Sequence, residues 1–537
     1  MKYSRIIPVL IVSGLLFFSC TKDFQELNTT PDKPTTTTIQ PLVNHIISTL
    51  FLSWQEQASA HNDWYYPTTQ LGGITSGSGY VLANAVNEIW TDYYNTLENI
   101  NAVQDKINMI NDTLKNKKAL DNIQAILYIL KAYKTFRVTD QFGDIPYFDA
   151  GKAYTGDIKF YRPKYDDQKD IYLDCLKNLD WASKNIVTNP AGNTYVSMGS
   201  FDTFFKGNMM LWLKFANSLR LRYAMQMVEK DPTDAAPIIK DVVGGNLPVI
   251  TDGLDNTGDV GMWPAQLNNY DIASRPWSFN SHKFERMSTT FWNMVSTGTN
   301  SADIFDPRAV LFCETNQAGK WAPYKIGSTE SDATNPYDTK RDNDYSDKSG
   351  CVFSPFNYHL IRDEHYIPEL IFTAAEVHFL KAEAYARGLG VGKDLNAAQT
   401  EYYAGITSSV NFWYNIAHHT NADTYDDWAA VAPPMPTGAQ MNAFLANPKV
   451  AFTGSDDDKL NKIYAQEWLS FFREPWLAFN LWRRTGRTPR DGNPSAYATF
   501  YRIPYPNSES INNTTNFRAE IGKIGSNGTD VKVWWMK

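Results

Sequence analysis

The chain is 537 residues long, 43% hydrophobic and 20% charged, and its 50 Lys and Arg face 58 Asp and Glu for a formal net charge of −8. With that balance and no basic stripe of the kind that neutralises phosphates, nucleic acid is excluded as a partner. The four cysteines, Cys20, Cys175, Cys313 and Cys351, are too widely spaced for a disulfide framework or a C-x-x-C motif.

The first element is a targeting segment. Lys2 and Arg5 form a short positive region, followed by an apolar stretch from Ile6 to Phe18 broken only by Pro8 and Ser13-Gly14. That stretch suits a signal peptide and falls short of the roughly 20 residues that cross a bilayer. Ser19 then places a small residue ahead of Cys20, so removal of residues 1–19 is expected to leave Cys20 as a lipid-modified N-terminus. Residues 20–41 are rich in Thr, Pro, Asp and Lys, the composition of a solvated tether. Residues 42–537 contain no further membrane-spanning run and no low-complexity linker, and are expected to form one domain with a large core. Cys175, Cys313 and Cys351 are expected to be small buried residues within it.

Helical periodicity dominates the body. Over residues 120–139, Leu120, Ile123, Leu127 and Leu130 form one stripe and Ile126, Ile129, Tyr133 and Phe136 a second, so this helix is buried on two sides. The same pattern recurs at residues 90–110, 171–186, 204–228, 370–387, 395–413 and 463–472, with Lys115 to Lys118 in a connection between helices. Gly143, Gly388 and Gly486 stand where left-handed C-caps are expected. Helix pairs 30 to 40 residues apart suggest a scaffold of the tetratricopeptide type. Two regions break the pattern: residues 60–80, whose glycines preclude a regular helix, and residues 244–360, rich in Gly, Asn, Asp and Pro. Long irregular loops on a helical scaffold are where binding residues concentrate.

The chain is also rich in rings, with 16 Trp, 30 Tyr and 29 Phe. Most must be core, but the excess leaves candidates for exposed platforms of the kind on which a sugar's C–H face packs. The candidates in the irregular regions are Trp64, Tyr65 and Tyr80, then Trp263, Tyr270, Trp277, Asn280 and Trp321. Trp90, Trp212, Trp468 and Trp482 sit inside helical patterns and are expected in the core. The carboxylate pair Glu376 and Glu383, seven residues apart on one helix, has backbones about 10 Å apart, a poor match to either glycosidase geometry. Ion pairing with Arg483 or Arg484 is the expected role. His418-His419 and Glu364-His365 lack zinc-site spacing. The acidic run 252–259 offers oxygens to a calcium ion but without EF-hand spacing, so a solvated turn is expected and no cofactor.

Several motifs together resemble the SusD/RagB-like surface lipoproteins, in particular the second SusD-like subfamily. They are Glu26-Leu27-Asn28 with Pro31, Trp90 with Tyr93-Tyr94 and Asn99, and Asp140-Gln141-Phe142-Gly143-Asp144-Ile145-Pro146-Tyr147 followed by Tyr165-Asp166 and Gln168. The most diagnostic stretch runs from Trp212 to Arg222. Later come Asp306-Pro307-Arg308, Ala375-Glu376-Val377, Ala382-Glu383-Ala384, Gln466-Glu467-Trp468, Arg483-Arg484-Thr485-Gly486, Pro504-Tyr505-Pro506 and Trp534-Trp535. The basic residue in the helix before the Asp140 motif stands here as Lys131. The resemblance implies a mostly α-helical SusD-like fold and a non-catalytic protein anchored in the outer membrane at the cell surface. Such a protein captures glycans for a SusC-type TonB-dependent transporter. The alternatives are a peptide-capturing subunit of a similar transporter, or a structural lid with little affinity of its own.

Overall fold

The computed structural model describes residues 38–75, 81–189, 195–251, 260–262, 285–328, 348, 350–357, 359–360, 368–418, 428–492 and 497–537. The fold is mostly helical. Its principal helices are α1 (Ile39–Ser48), α2 (Leu82–Thr113), α3 (Asp121–Phe142), α4 (Gln168–Asn185), α5 (Met209–Met227), α6 (Ala374–Arg387), α7 (Leu395–His418), α8 (Asp456–Ser470), α9 (Pro475–Thr485) and α10 (Thr514–Ile524). Successive helices pack in pairs, α2 on α3, α3 on α4, α4 on α5 and α6 on α7, while α6 also meets α8 and α5. No helix among the described residues is long and apolar enough to cross a membrane.

Helix boundaries follow side-chain chemistry that periodicity does not see. Residues 204 and 205, expected at the start of a helix, form a turn wrapped around Asp202. That carboxylate accepts from the backbone N–H groups of Phe204, Phe205 and Gly207 and from Trp212 Nε1 at 2.7 Å. α5 starts only after the Asn208 cap. α8 begins seven residues earlier than its apolar pattern, because Ser455 and Asp458 form a capping box and Asp456 to Asp458 complement the positive end of the helix dipole. Residues 370–372 belong to a strand, and α6 starts after Thr373, whose side chain accepts from Glu376 N–H. Gly388 and Gly486 are left-handed C-caps as expected, whereas Gly143 pairs φ 84° with ψ −131°, outside the left-handed helical region.

The irregular region expected at residues 60–80 is instead helical through Thr69. A π-helical stretch, Glu56–Tyr65, runs into a short α-turn, Tyr66–Thr69, and Gln70 ends it with φ 61°. Its polarity was misleading, since Gln57, Ser59, His61 and Asn62 are all buried. Gln57 Nε2 donates to Asn62 Oδ1 at 3.0 Å, and Glu56 pairs with Arg137 of α3 at 2.8 Å.

Two small antiparallel pairs lie beside the helices. β1 (Gly72–Ile74) pairs with β3 (Glu285–Met287), and β2 (Val260–Met262) with β4 (Glu369–Phe372). The Gly72-Gly73 pair is dictated by closeness: a Cβ on Gly72 would lie 2.3 Å from the Phe356 ring, and one on Gly73 2.7 Å from Tyr324. Cys175, Cys313 and Cys351 are buried and none is in a disulfide with another.

The recognisable motifs are internal struts. Buried Asp140 accepts from Tyr172 Oη, from Trp535 Nε1 at 2.9 Å and from Asn480 Nδ2 at 2.9 Å, tying α3 to α4, α9 and the chain end. Asp166 accepts from Tyr147 N–H and Phe148 N–H at 3.0 and 2.9 Å, and Lys131 sits 4.5 Å over the Tyr147 ring. Arg308 is clamped by Asp306 at 2.7 Å and by Gln466 at 2.5 Å.

Candidate functional site

Trp64 is the sequence-derived platform residue that the structure keeps partly open. Its indole lies at the end of the π-helical stretch, stacked on Phe500 with 4.7 Å between centroids and 29° between planes, and meets Tyr497 edge-on at 5.9 Å. Phe500 is buried and rests on Phe479 of α9 at 5.4 Å, so the outer ring sits on a fixed base. Tyr497 is half-buried, and burial followed by the nearby Asp63 carboxylate pushes its phenol up to about 12. Further along the same ladder, half-buried Trp482 stacks on Tyr501 at 5.9 Å and 26°, with the Arg490 guanidinium 4.5 Å over its ring.

Two clamps hold this face against the short turn Tyr66–Thr69 and Gln70 that precede β1. Arg490 Nη1 donates to Thr68 O at 2.9 Å, and Asp491 N–H donates to Gln70 Oε1 at 2.7 Å. In the β1–β3 register Ile74 faces Glu285, so the chain leaves β1 and enters β3 at one end of the pair. Tyr324 is hydrogen-bonded to that pair through Met287 and packs against Phe353 at 5.2 Å. The result is a rigid, partly exposed aromatic surface with a cation and carboxylates at its margin. That chemistry suits stacking against a flat, weakly polar ligand whose hydroxyls are met by charged groups.

Other expectations are corrected. Tyr65 is fully buried: its ring stacks on Phe479 at 4.9 Å and its hydroxyl donates to Gln141 Oε1 at 2.7 Å, so it is a core residue beneath the platform. Trp321 is 9% exposed, lies nearly parallel to Trp292 at 5.3 Å and donates from Nε1 to Ser301 Oγ at 2.9 Å, so one face and the polar edge are engaged in the fold. Trp482, expected in the core with Trp90, Trp212 and Trp468, is half-buried while those three are buried. Tyr80, Trp263, Tyr270, Trp277, Asn280, Cys20 and the acidic run 252–259 lie outside the described residues. Tyr497, Tyr501 and Arg490 were missed because they stand in a segment without periodicity and become neighbours of Trp64 only through the fold.

The carboxylates weighed for hydrolysis are sealed in the core. Glu383 takes Arg484 at 2.8 Å, as expected, with Arg387 at 2.7 Å and Tyr464 at 2.8 Å. Burial pushes its carboxyl up, but the two guanidiniums outweigh that and hold it at about 2. Glu376 pairs instead with Arg222 of α5, at 2.5 and 2.6 Å, and burial raises its carboxyl despite that partner. Neither is open to a substrate.

A family model described as starch-binding and associating with the outer membrane matches residues 28–506. Among solved structures, a chitin-binding protein is 20% identical with a TM-score of 0.70, covering 93% of this chain and 100% of its own. A SusD homologue from Parabacteroides distasonis is 20% identical with a TM-score of 0.69, covering 93% and 98%. A chitin-binding SusD homologue from Flavobacterium johnsoniae is 22% identical with a TM-score of 0.64, also covering 93% and 98%. These likenesses show the fold. No curated protein matches the chain in sequence.

Proposed function

The chain belongs to the SusD-like family of starch-binding proteins that associate with the outer membrane, and from that premise we propose that it is a cell-surface lipoprotein that captures glycan chains and delivers them to a SusC-type TonB-dependent transporter. Cys20 carries the lipid in this reading, and the tether expected at residues 20–41 ends before α1, whose first residue, Ile39, is buried in the core. The observation that carries it is Trp64, a half-buried indole held on the Phe500–Phe479 stack and flanked by Tyr497. A ring fixed in this way pays little entropy when a pyranose packs on it. Neighbours named for chitin binding and a family named for starch binding favour a neutral glycan of linked hexoses.

Isothermal titration of the full chain in detergent, against maltooligosaccharides, N-acetylglucosamine oligomers and a mixed peptide pool, tests the reading. At least one glycan series binds, and Trp64→Ala weakens it about tenfold, the loss expected for one stacked ring at roughly 1.4 kcal/mol. Binding of peptides with no glycan sinks the glycan assignment. Unchanged glycan affinity in Trp64→Ala removes this face as the site.

A further inference from the structure

A cleft of about 350 Å³ opens between the α3 C-terminus, the start of α4, the end of α10 and residues 531–534. The rings of Tyr505 and Trp534 line it, together with Asp144, Asp167, Lys169, Arg502, Lys523 and Lys532. None of the aromatic platform residues belongs to it.

Most of its cations are already spoken for. Lys523 bridges Asp144 and Asp167 at 2.5 Å each, Lys169 pairs with Asp231 at 2.6 Å, and Lys532 Nζ donates to the Lys537 carbonyl. Arg502 differs. It is 2% exposed, its guanidinium lies 4.1 Å over the Tyr505 ring, and its Nε donates to Ile503 O at 3.2 Å. Its Nη2 has no hydrogen-bond partner, and it forms no ion pair among the described residues. The Glu520 carboxyl, raised by burial and by Asp144, interacts with Arg502 but forms no ion pair with it. A buried guanidinium without an acid is costly, and a ligand carboxylate is the planar partner that fits it.

We propose that this cleft is a second ligand site, selective for a sugar bearing a single carboxylate, a hexuronate unit, with the carboxylate on Arg502 and the ring against the half-buried Trp534. The volume fits a pyranose, within the range of small-molecule pockets, and is far larger than a simple oxyanion needs. Asp144 and Asp167 oppose a dianion such as phosphate and can accept from sugar hydroxyls.

The test is titration of the full chain in detergent with galacturonate, galactose, acetate and inorganic phosphate. Galacturonate is expected to bind at least tenfold more tightly than each of the others. Arg502→Gln should erase its advantage over galactose, while Trp64→Ala leaves it unchanged. In Trp64→Ala, which removes the aromatic face, equal binding of galactose, acetate or phosphate overturns the assignment, as does loss of galacturonate binding. Because Arg502→Gln can fail to fold, a crystal structure with galacturonate is the second measurement. A ligand carboxylate within about 3 Å of the Arg502 guanidinium supports the site, and a carboxylate elsewhere, or an empty cleft, overturns it.

Discussion

Glu383 offers the sharpest test of whether the recognisable carboxylates serve structure. It is fully buried on α6, and its Oε1 accepts from Arg484 on α9, Arg387 on its own helix and Tyr464 on α8. Removing one member of such a cluster leaves Arg484 buried against an empty space, which costs about 3–5 kcal/mol. Glu383→Ala should therefore lose that much in urea unfolding at pH 7, read by tryptophan fluorescence. The pH dependence gives an independent magnitude. The folded carboxyl is held at about 2 against an ordinary 4.5, so its ionisation favours the folded state by about 3 kcal/mol. Because the folded value is depressed, this stability is present above about pH 4.5 and is lost as pH falls toward 2. The stability gap between the wild type and Glu383→Gln should accordingly shrink over that window. A gap that does not change with pH, or a cost below about 1 kcal/mol for Glu383→Ala, refutes the structural assignment. Folded Glu383→Ala should still bind ligand.

Asp140 should show the opposite sign. Burial raises its carboxyl from 3.8 to about 6 in spite of Tyr172, Arg483, Trp535 and Asn480, so the protonated form favours folding. The wild type should lose about 3 kcal/mol relative to Asp140→Asn as pH rises from about 4 through 6, followed by urea unfolding at each pH. Gly72→Ala places a methyl 2.3 Å from the buried Phe356 ring and should cost about 1–3 kcal/mol by thermal or urea unfolding, with a neutral result arguing that the β1–β3 pair relaxes freely. Cys20→Ala should move the protein out of the membrane fraction while glycan titration stays unchanged, and continued membrane retention would argue against a lipid anchor at this residue.

The helices were legible wherever apolar periodicity was strong, and α3 and α4 fall within three residues of their expected bounds. The errors lie where polar side chains are consumed by the interior. The Glu56–Tyr65 stretch looked like a loop because Gln57, His61 and Asn62 are polar, but they are buried in the fold, where Gln57 bonds Asn62. The start of α8 was missed because Asp456 to Asp458 carry no apolar signal and act through capping. For the site, sequence could rank rings but not their exposure. Tyr65 and Trp64 are neighbours in the chain, yet the π-helical turn sends one under Phe479 and leaves the other at the surface. Arg222 as the partner of Glu376 was equally out of reach, since the two are 154 residues apart.

These failures share one cause, which bears on what the family motifs can report. Asp140, Asp166, Arg222, Arg308, Glu376, Glu383 and Arg484 are all buried and each is hydrogen-bonded inside the fold, so changing any of them costs several kcal/mol whatever ligand is bound. Residues under that constraint identify the fold and cannot encode the ligand. Besides Arg502, whose Nη2 the interior leaves without a partner, the residues free to encode it are those whose substitution leaves the interior intact: Trp64, Tyr497 and Trp482 on the aromatic face, and Lys532 and Trp534 at the cleft. α3 ties the two regions together at its C-terminal end. Gln141 accepts from Tyr65 Oη beneath the platform and, through its carbonyl, from Ile503 N–H, while Asp144 three residues on lines the cleft. A rigid strut of this kind fixes the spacing between the two surfaces, so a chain carrying neutral and acidic sugars could engage both only when its repeat matches that spacing, and its affinity would then exceed that of either sugar alone.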